Sequence, residues 1–302
     1  MHWRKLGRVF CPAGERDWMR SHAAVPIAQP VGGSVYRVYF SSRDAANRSH
    51  TGYAVFDLNR PSEVLELSSS PVLSPGALGA FDDSGAMATW IARHGGQHYL
   101  YYIGWNLGVT VPFRNAIGLA MLDSRGKATR VAQGPIVDRT MQEPHFCASC
   151  CVIPGSDFWR MWYLSCTGWT EDDGGPKHHY HIKYATSDDG IRWRREGLVA
   201  IDYQHPAEFA ISRPSVLRDG EVWKMWYSTR GEAYRIGYAE SGDGCSWRRL
   251  DHRAGIAPSA AGWDAEMIEY PFVFDHEGAR YMLYNGNGFG KTGFGLAVLE
   301  GQ

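Results

Sequence analysis

Acidic residues recur at nearly one offset along this chain: Asp82 and Asp83, Glu143, Glu208, and Asp264 with Glu266 precede Thr89, Cys150, Pro214 and Pro271 in turn. The matching stretch before Pro26 offers Arg20, Ser21 and His22 instead. Carboxylates gathered at close range repel one another, and partial dehydration resists their ionisation, so such a cluster drives pKa values apart. One carboxyl can then stay protonated to donate to a leaving oxygen while another, ionised, attacks or activates water. Cleavage of a glycosidic bond needs that pair. We take Asp82, Glu208 and Glu266 as candidate catalytic groups. At seven and five positions upstream, Asp82 and Glu266 share a strand face, whereas Glu208, at six, is one residue out of step. The competing use of each acid is a hairpin cap or a salt bridge to Arg213, Arg43 or Lys291.

Polar and aromatic residues that could hold a ligand lie where strands reach loops: Arg43, Trp105, Asn106, Trp169, Arg230, Asn285 and Asn287. Trp105 and Trp169 could stack on the C–H face of a sugar or pack between sheets. Arg213 follows Glu208 closely enough to pair with a carboxylate or to grip an anion bidentately, and a phosphate or a sugar acid would suit it. His22, Asp83, Glu143, His145, His181, Tyr270 and Lys291 complete the candidate substrate-binding set. His179 and His181 share a strand face and could hydrogen-bond a sugar or ligate a metal, as could Cys147, Cys150 and His145; alternation points Cys147 and Cys150 to opposite faces. No metal and no cofactor are expected.

These residues are distant in sequence, and a repeat must gather them. A β-type run ending in aromatics recurs at Tyr36 to Phe40, Tyr99 to Ile103, Trp159 to Tyr163, Trp223 to Tyr227 and Tyr281 to Tyr284. Tyr39, Tyr102, Tyr163, Tyr227 and Tyr284 mark a period of about sixty residues, too long for a helical solenoid. The fullest copy runs from Arg213-Pro-Ser-Val-Leu through Trp223-Lys-Met-Trp-Tyr and Tyr234-Arg-Ile-Gly-Tyr-Ala to Ser241-Gly-Asp-Gly-Cys-Ser-Trp247. Alternating apolar runs with Gly, Asp and Ser at the joints specify four antiparallel strands. The spacing predicts an all-β, five-bladed β-propeller, one domain over residues 1–302, with four-stranded blades. The last copy lacks an outer strand, so Trp3 to Phe10 is expected to close the last blade and cover its edge. The two Ser-x-Asp-Gly-x-x-Trp turns, at 187–193 and 241–247, read as structural.

Composition agrees with sheets packed face to face: of 302 residues, 44% are hydrophobic, with 35 Gly, 12 Trp, 16 Tyr and 12 Phe. A formal charge of −1 argues against nucleic acid or an anionic membrane as partner and leaves a small soluble carbohydrate or sugar conjugate. No apolar stretch of signal-peptide or membrane-span length occurs, and six cysteines read as buried reduced thiols, so a cytoplasmic location is expected. Gly288 to Gly293 imitates a dinucleotide fingerprint, but a β-type run follows it where phosphate binding needs a long helix, so it reads as a hairpin.

The acids, the Trp-x-Met-Trp-Tyr strands, the Tyr-Ala strands and the Ser-Asp-Asp-Gly-x-x-Trp turn resemble those of the five-bladed propeller glycosidases: arabinanases and xylosidases, invertases and levansucrases, and mannoside phosphorylases. The resemblance covers essentially the whole chain. It implies an acid on the second blade, matched by Asp82, and a later Glu, matched by Glu143 or Glu208. The superfamily's first-blade Asp is replaced by His22, and the invertase Asn-Asp-Pro, Arg-Asp-Pro and Glu-Cys motifs are absent. A pair such as Asp82 with Glu208 or Glu266 would then have to serve. The expected function is cleavage or transfer of a glycosyl group; acids locked in arginine bridges would instead favour carbohydrate binding without catalysis. Convergence of Arg213, Arg43 and Lys291 on one pocket would favour a phosphorylase.

Overall fold

Aromatic and β-branched residues fill a pleated surface well, and almost every regular element of this chain is accordingly a strand in the computed structural model, which describes residues 1–301. After β1 (His2–Phe10), the chain forms an antiparallel meander of β2 (Ser21–Gly32), β3 (Val35–Arg43), β4 (Ser49–Asp57) and β5 (Arg60–Leu67). The same succession follows in β6 (Gly85–His94), β7 (Gln97–Leu107), β8 (Phe113–Leu122) and β9 (Ala128–Arg130). It recurs in β10 (Cys147–Ile153), β11 (Trp159–Asp172), β12 (Gly175–Ser187) and β13 (Val199–Ile201). β14 (Ala210–Asp219), β15 (Val222–Arg230), β16 (Tyr234–Ser241) and β17 (Arg248–Arg249) repeat it again. Last come β18 (Glu269–His276), β19 (Ala279–Asn285) and β20 (Phe294–Glu300), and β1 pairs antiparallel with β20, Trp3 opposite Leu299.

The leading strands share one matching break, and β2 has two more, between Ser21 and Ala24 and between Pro30 and Gly32. Irregularities in pairing fall between Ala24 and Ile27, Ala88 and Trp90, Ala148 and Cys150, Ser212 and Ser215, and Glu269 and Phe272. A bulge bends its strand and re-aims a side chain. In three of them an L residue directly before a proline takes a left-handed φ: Val25 at 56°, Arg213 at 54° and Tyr270 at 55°. Each such residue costs on the order of 1–3 kcal/mol unless its surroundings hold it there. They are held from the neighbouring meander: the N–H of Val25 donates to Asn285 Oδ1 at 2.8 Å, that of Arg213 to Ser149 Oγ at 3.2 Å, and that of Tyr270 to Ser228 Oγ at 2.7 Å.

Between the sheets the core is aromatic. Tyr39, Tyr101, Trp162, Tyr163, Trp226 and Tyr227 are fully buried, each such ring contributing on the order of 2–3 kcal/mol. Two buried indoles find carbonyls in the adjoining meander: Trp90 donates to Val152 O at 2.7 Å and Trp162 to Gly244 O at 2.8 Å. In the Ser-x-Asp-Gly turns, Asp189 accepts the amides of Ile191 and Arg192, and Asp243 those of Cys245 and Ser246. The segment before β20 contains a single helical turn, Asn287–Gly290, with Gly288 and Phe289 at positive φ. No helix among the described residues is long and apolar enough to cross a membrane.

Candidate functional site

The recurring acids sit ahead of the leading strands, but they do not meet at one axis. Asp82 is buried and accepts hydrogen bonds from Arg130 Nη2 at 2.7 Å, Arg130 Nε at 2.9 Å and the Tyr102 hydroxyl at 3.2 Å. Glu143 accepts from the Tyr163 hydroxyl at 2.8 Å and Ser165 at 3.0 Å, with Arg195 3.6 Å and Lys183 3.8 Å away. Glu208 accepts from Arg249 at 2.6 and 2.9 Å and from Thr229 at 2.8 Å, and Arg249 also binds Asp251, the acceptor of Tyr227. Asp264 accepts from Lys5 at 2.6 Å and Tyr284 at 3.1 Å. Arg130 and Arg249 come from the outermost strands β9 and β17, and Lys5 from β1. Each set is a clasp that ties the loop before a leading strand to the outer edge of its own sheet.

Asp82, Glu143 and Glu208 are thus each engaged by partners within their own sheet, and none is among the residues that line the cavity described below. Burial works against ionisation of Glu208, yet Arg249, the Gln204 amide and Thr229 hold it down at about 2, so it remains an anion committed to its partners. Glu266, the third expected catalytic group, is exposed on a loop, where its backbone does the bonding: its N–H donates to Asn287 Oδ1 and its carbonyl accepts from Arg235. Asp83 closes its own turn by accepting from the Gly79 amide and Ser84.

What the bulges do bring together is a cavity of about 450 Å³. Val25, Ser149, Arg213 and Tyr270, all from bulged positions, line it with Arg43, Trp105, Asn115, His178, Tyr180, Arg230 and Tyr234, and no Asp or Glu is among its lining residues. Arg213 is wholly buried. Its Nη2 donates to Pro26 O at 3.2 Å, while Nε and Nη1 have no partner, and the Arg230 Nε and Ser212 Oγ are likewise unpartnered. Burial lowers Arg213 to about 10, which leaves it a cation at neutral pH. A buried guanidinium with unmet donors is costly, and a bound anion would relieve both its charge and its hydrogen-bonding deficit. His178 stacks on Tyr180 at 4.8 Å, and burial with the nearby Arg230 keeps it at about 4, so it is neutral.

Behind this wall lies the group that the sequence reading missed. Glu269, the first residue of β18, is completely buried with both carboxyl oxygens unpartnered. Burial raises its pKa well above the usual carboxylate range; the nearby Arg230 opposes the shift without overcoming it. Tyr180 and Tyr234 hydrogen-bond through their hydroxyls, and the Tyr234 and Tyr270 rings lie 6.0 Å apart. Glu269 was visible in one respect: two positions before the reference residue the other repeats carry Ala24, Met87, Ala148 and Ser212. A carboxylate at that place breaks the pattern.

The other candidates separate. Arg43, Trp105, Arg213 and Tyr270 line the central cavity, whereas His145 and Trp169 line a second one, of about 320 Å³, beside it. Asn285 is spent on structure, donating to Ala23 O and Gly293 O as well as accepting from Val25. His181 is buried against Asp202, away from both cavities. His22 bonds Ser21, and burial, Arg43 and Lys291 hold it at about 4. Lys291 is exposed and lines neither cavity; Arg230 supplies the third cation in its stead. All six cysteines are free, and those of β10 are buried thiols with raised pKa values.

Solved structures supply the class. The chain superposes on a BT0996–RGII complex with a TM-score of 0.76 at 17% identity, over 99% of this chain and 92% of that one. A thermostable family-43 glycoside hydrolase gives 0.70 at 16%, over 92% and 89%. A structure titled for the GH130 mannoside phosphorylase family and its hydrolases of β-1,2 mannosidic linkages in Candida mannan gives 0.69 at 15%, over 99% and 90%. These belong to the five-bladed β-propeller glycosidase superfamily, and the chain has their fold. No known family profile matches it. It is 46% identical over 300 residues, 99% of its length and all of theirs, to the uncharacterized proteins MT1551 and Rv1502 from two strains of Mycobacterium tuberculosis, and it belongs to their family.

Proposed function

We propose that the chain is a single five-bladed propeller, closed by β1 on β20, that transfers a glycosyl group between a sugar conjugate and an oxyanion held in the central cavity. The observation that carries this reading is Arg213, buried at a bulge with two unpartnered guanidinium nitrogens beside a cavity lined by two further arginines and no carboxylate. Hydrolysis by paired carboxyls needs an ionised partner beside the acid. Here Glu269 is a buried carboxyl near the cavity, and its burial shifts it toward the protonated form. It would give its proton, directly or through Tyr270, to the leaving oxygen as the glycosidic bond breaks. The arginine-bound oxyanion, phosphate or carboxylate, would form the new bond to the anomeric carbon. The free thiols suit a cytoplasmic setting.

Incubation with aryl glycosides and glycosyl phosphates, with and without inorganic phosphate, tests this. Turnover should depend on phosphate or on an anionic substrate, fall at least about a hundredfold in Arg213→Lys, and vanish in Glu269→Gln with ligand binding retained. Turnover that needs no anion and survives both substitutions would overturn it. A second reading, recognition without catalysis, draws on the clasped state of Asp82, Glu143 and Glu208; it is favoured if hexose phosphates raise the melting temperature but no substrate turns over.

A further inference from the structure

Near the central cavity two groups of opposite charge both keep buried atoms unpartnered: the two carboxyl oxygens of Glu269 and the Nε of Arg230. They share one set of neighbours. The Arg230 guanidinium lies over the rings of Tyr234 at 5.3 Å and Phe289 at 5.4 Å, and Tyr234 stands 6.0 Å from Tyr270, the residue that follows Glu269. The start of β18 is tied to β16 at the same place, since the Ile268 N–H donates to Tyr234 O at 3.3 Å. Arg230 lines the cavity, and so do Tyr180, Tyr234 and Tyr270, three phenols whose ionisation the charge of Glu269 opposes.

One cation thus faces two claimants. Its attraction favours the ionised form of Glu269 while burial disfavours it. An oxyanion that accepts from Arg230 draws on the same guanidinium and brings its own negative charge toward the carboxyl, and both effects favour protonation of Glu269. We propose that Arg230 is shared between Glu269 and the ligand, so that an oxyanion enters the central cavity together with one proton, taken from solvent onto the Glu269 carboxylate. This rests on the reading of the central cavity as an anion site. In the transfer reaction, the coupling loads the proton donor when the accepting oxyanion is in place, and the same proton passes to the leaving oxygen as the glycosidic bond breaks. The other titratable groups around the cavity lie to either side of neutrality. His178 and His22 are held at about 4, Arg213 at about 10 and Tyr234 at about 12, with Tyr180 and Tyr270 well above the ordinary phenol range. Arg43, which faces Tyr270, and Lys291, beside His22, add positive charge.

Calorimetric titration of the full chain with inorganic sulfate, and in parallel with a hexuronic acid, tests it between about pH 5 and pH 9, where neither ligand titrates. Pairs of buffers with different ionisation enthalpies count the protons taken up on binding. Uptake should be near zero at the acidic end, where Glu269 is already protonated, and rise toward one proton per anion as pH increases. Affinity should fall over the same interval by up to about tenfold per pH unit. Glu269→Gln should take up no proton and bind with an affinity that pH does not change. Arg230→Gln should weaken binding severalfold and move the onset of uptake to higher pH, because the carboxylate loses its cation; it serves if Glu269→Gln fails to fold. Binding without uptake anywhere in the interval, uptake that persists in Glu269→Gln, or an onset unmoved in Arg230→Gln would overturn the coupling alone. If neither anion binds the wild type, the central reading fails and the coupling with it.

Discussion

At the scale of single residues, Arg213 and Glu269 are placed against stability. A buried cation with unmet donors is replaceable at a gain, because burying a charge without full compensation costs more than packing an apolar side chain of similar size. Arg213→Met should therefore raise stability, by about 1–3 kcal/mol in urea unfolding, while abolishing affinity for anionic sugars; a loss of stability together with unchanged affinity would show that the guanidinium is structural. Glu269 gives a pH signature. Its folded-state pKa lies above the unfolded one, so the folded chain binds the extra proton, and the stability this brings is complete below the ordinary carboxylate range and lost as pH rises toward the folded value. Glu269→Gln should be more stable than wild type at pH 8, with the difference shrinking toward pH 4. Melting curves across that interval check it, and parallel wild-type and variant profiles would refute it.

At the scale of elements, the acids act through the strands they join. The clasps of Asp82 and Glu208 couple the loop before a leading strand to an outermost strand of only two or three residues, which has little pairing of its own to hold it. Arg249 reaches from the two-residue β17 to both Glu208 and Asp251. Arg249→Met would leave two carboxylates without their counter-ion and should cost about 3–5 kcal/mol, with the activity of the surviving folded fraction unchanged. A fall in turnover at full stability would return Glu208 to the reacting centre. The clasps also explain what could be read from the chain beforehand. Their offset was visible because it repeats, and repetition is a mark of architecture: a residue needed in every sheet is a structural residue. A reactive group is needed once. Glu269 occupies a place where other repeats carry small or apolar side chains, and its burial depends on bulges whose left-handed φ values no local pattern announces. The aromatic period foretold the strands; the bulges that decide which side chains face the cavity, and the change from an acidic to a cationic lining, depended on contacts between separate sheets.

At the scale of the whole molecule, the chain's two ends meet. β1 contributes strand pairing along β20, the Lys5 partner of Asp264, and Trp3 packed edge-on to Trp226 at 6.0 Å. Hydrogen bonds cross the same seam deeper in the structure, where Asn285 of β19 accepts from Val25 and donates to Ala23 O at the bulge of β2. The seam thus bears on the cavity as well as on its outer edge, since Val25 lines it. Removing residues 1–10 would expose the edge of β20, bury Asp264 without its cation, and open apolar surface at Trp226 and Phe294. An unpaired edge of that kind seeks another strand. The truncated chain should therefore form larger species than wild type by size-exclusion chromatography and lose several kcal/mol of stability, and a peptide of residues 1–10 added in trans should restore the wild-type elution. A truncated chain that elutes and melts like wild type would mean that β1 merely decorates the last sheet.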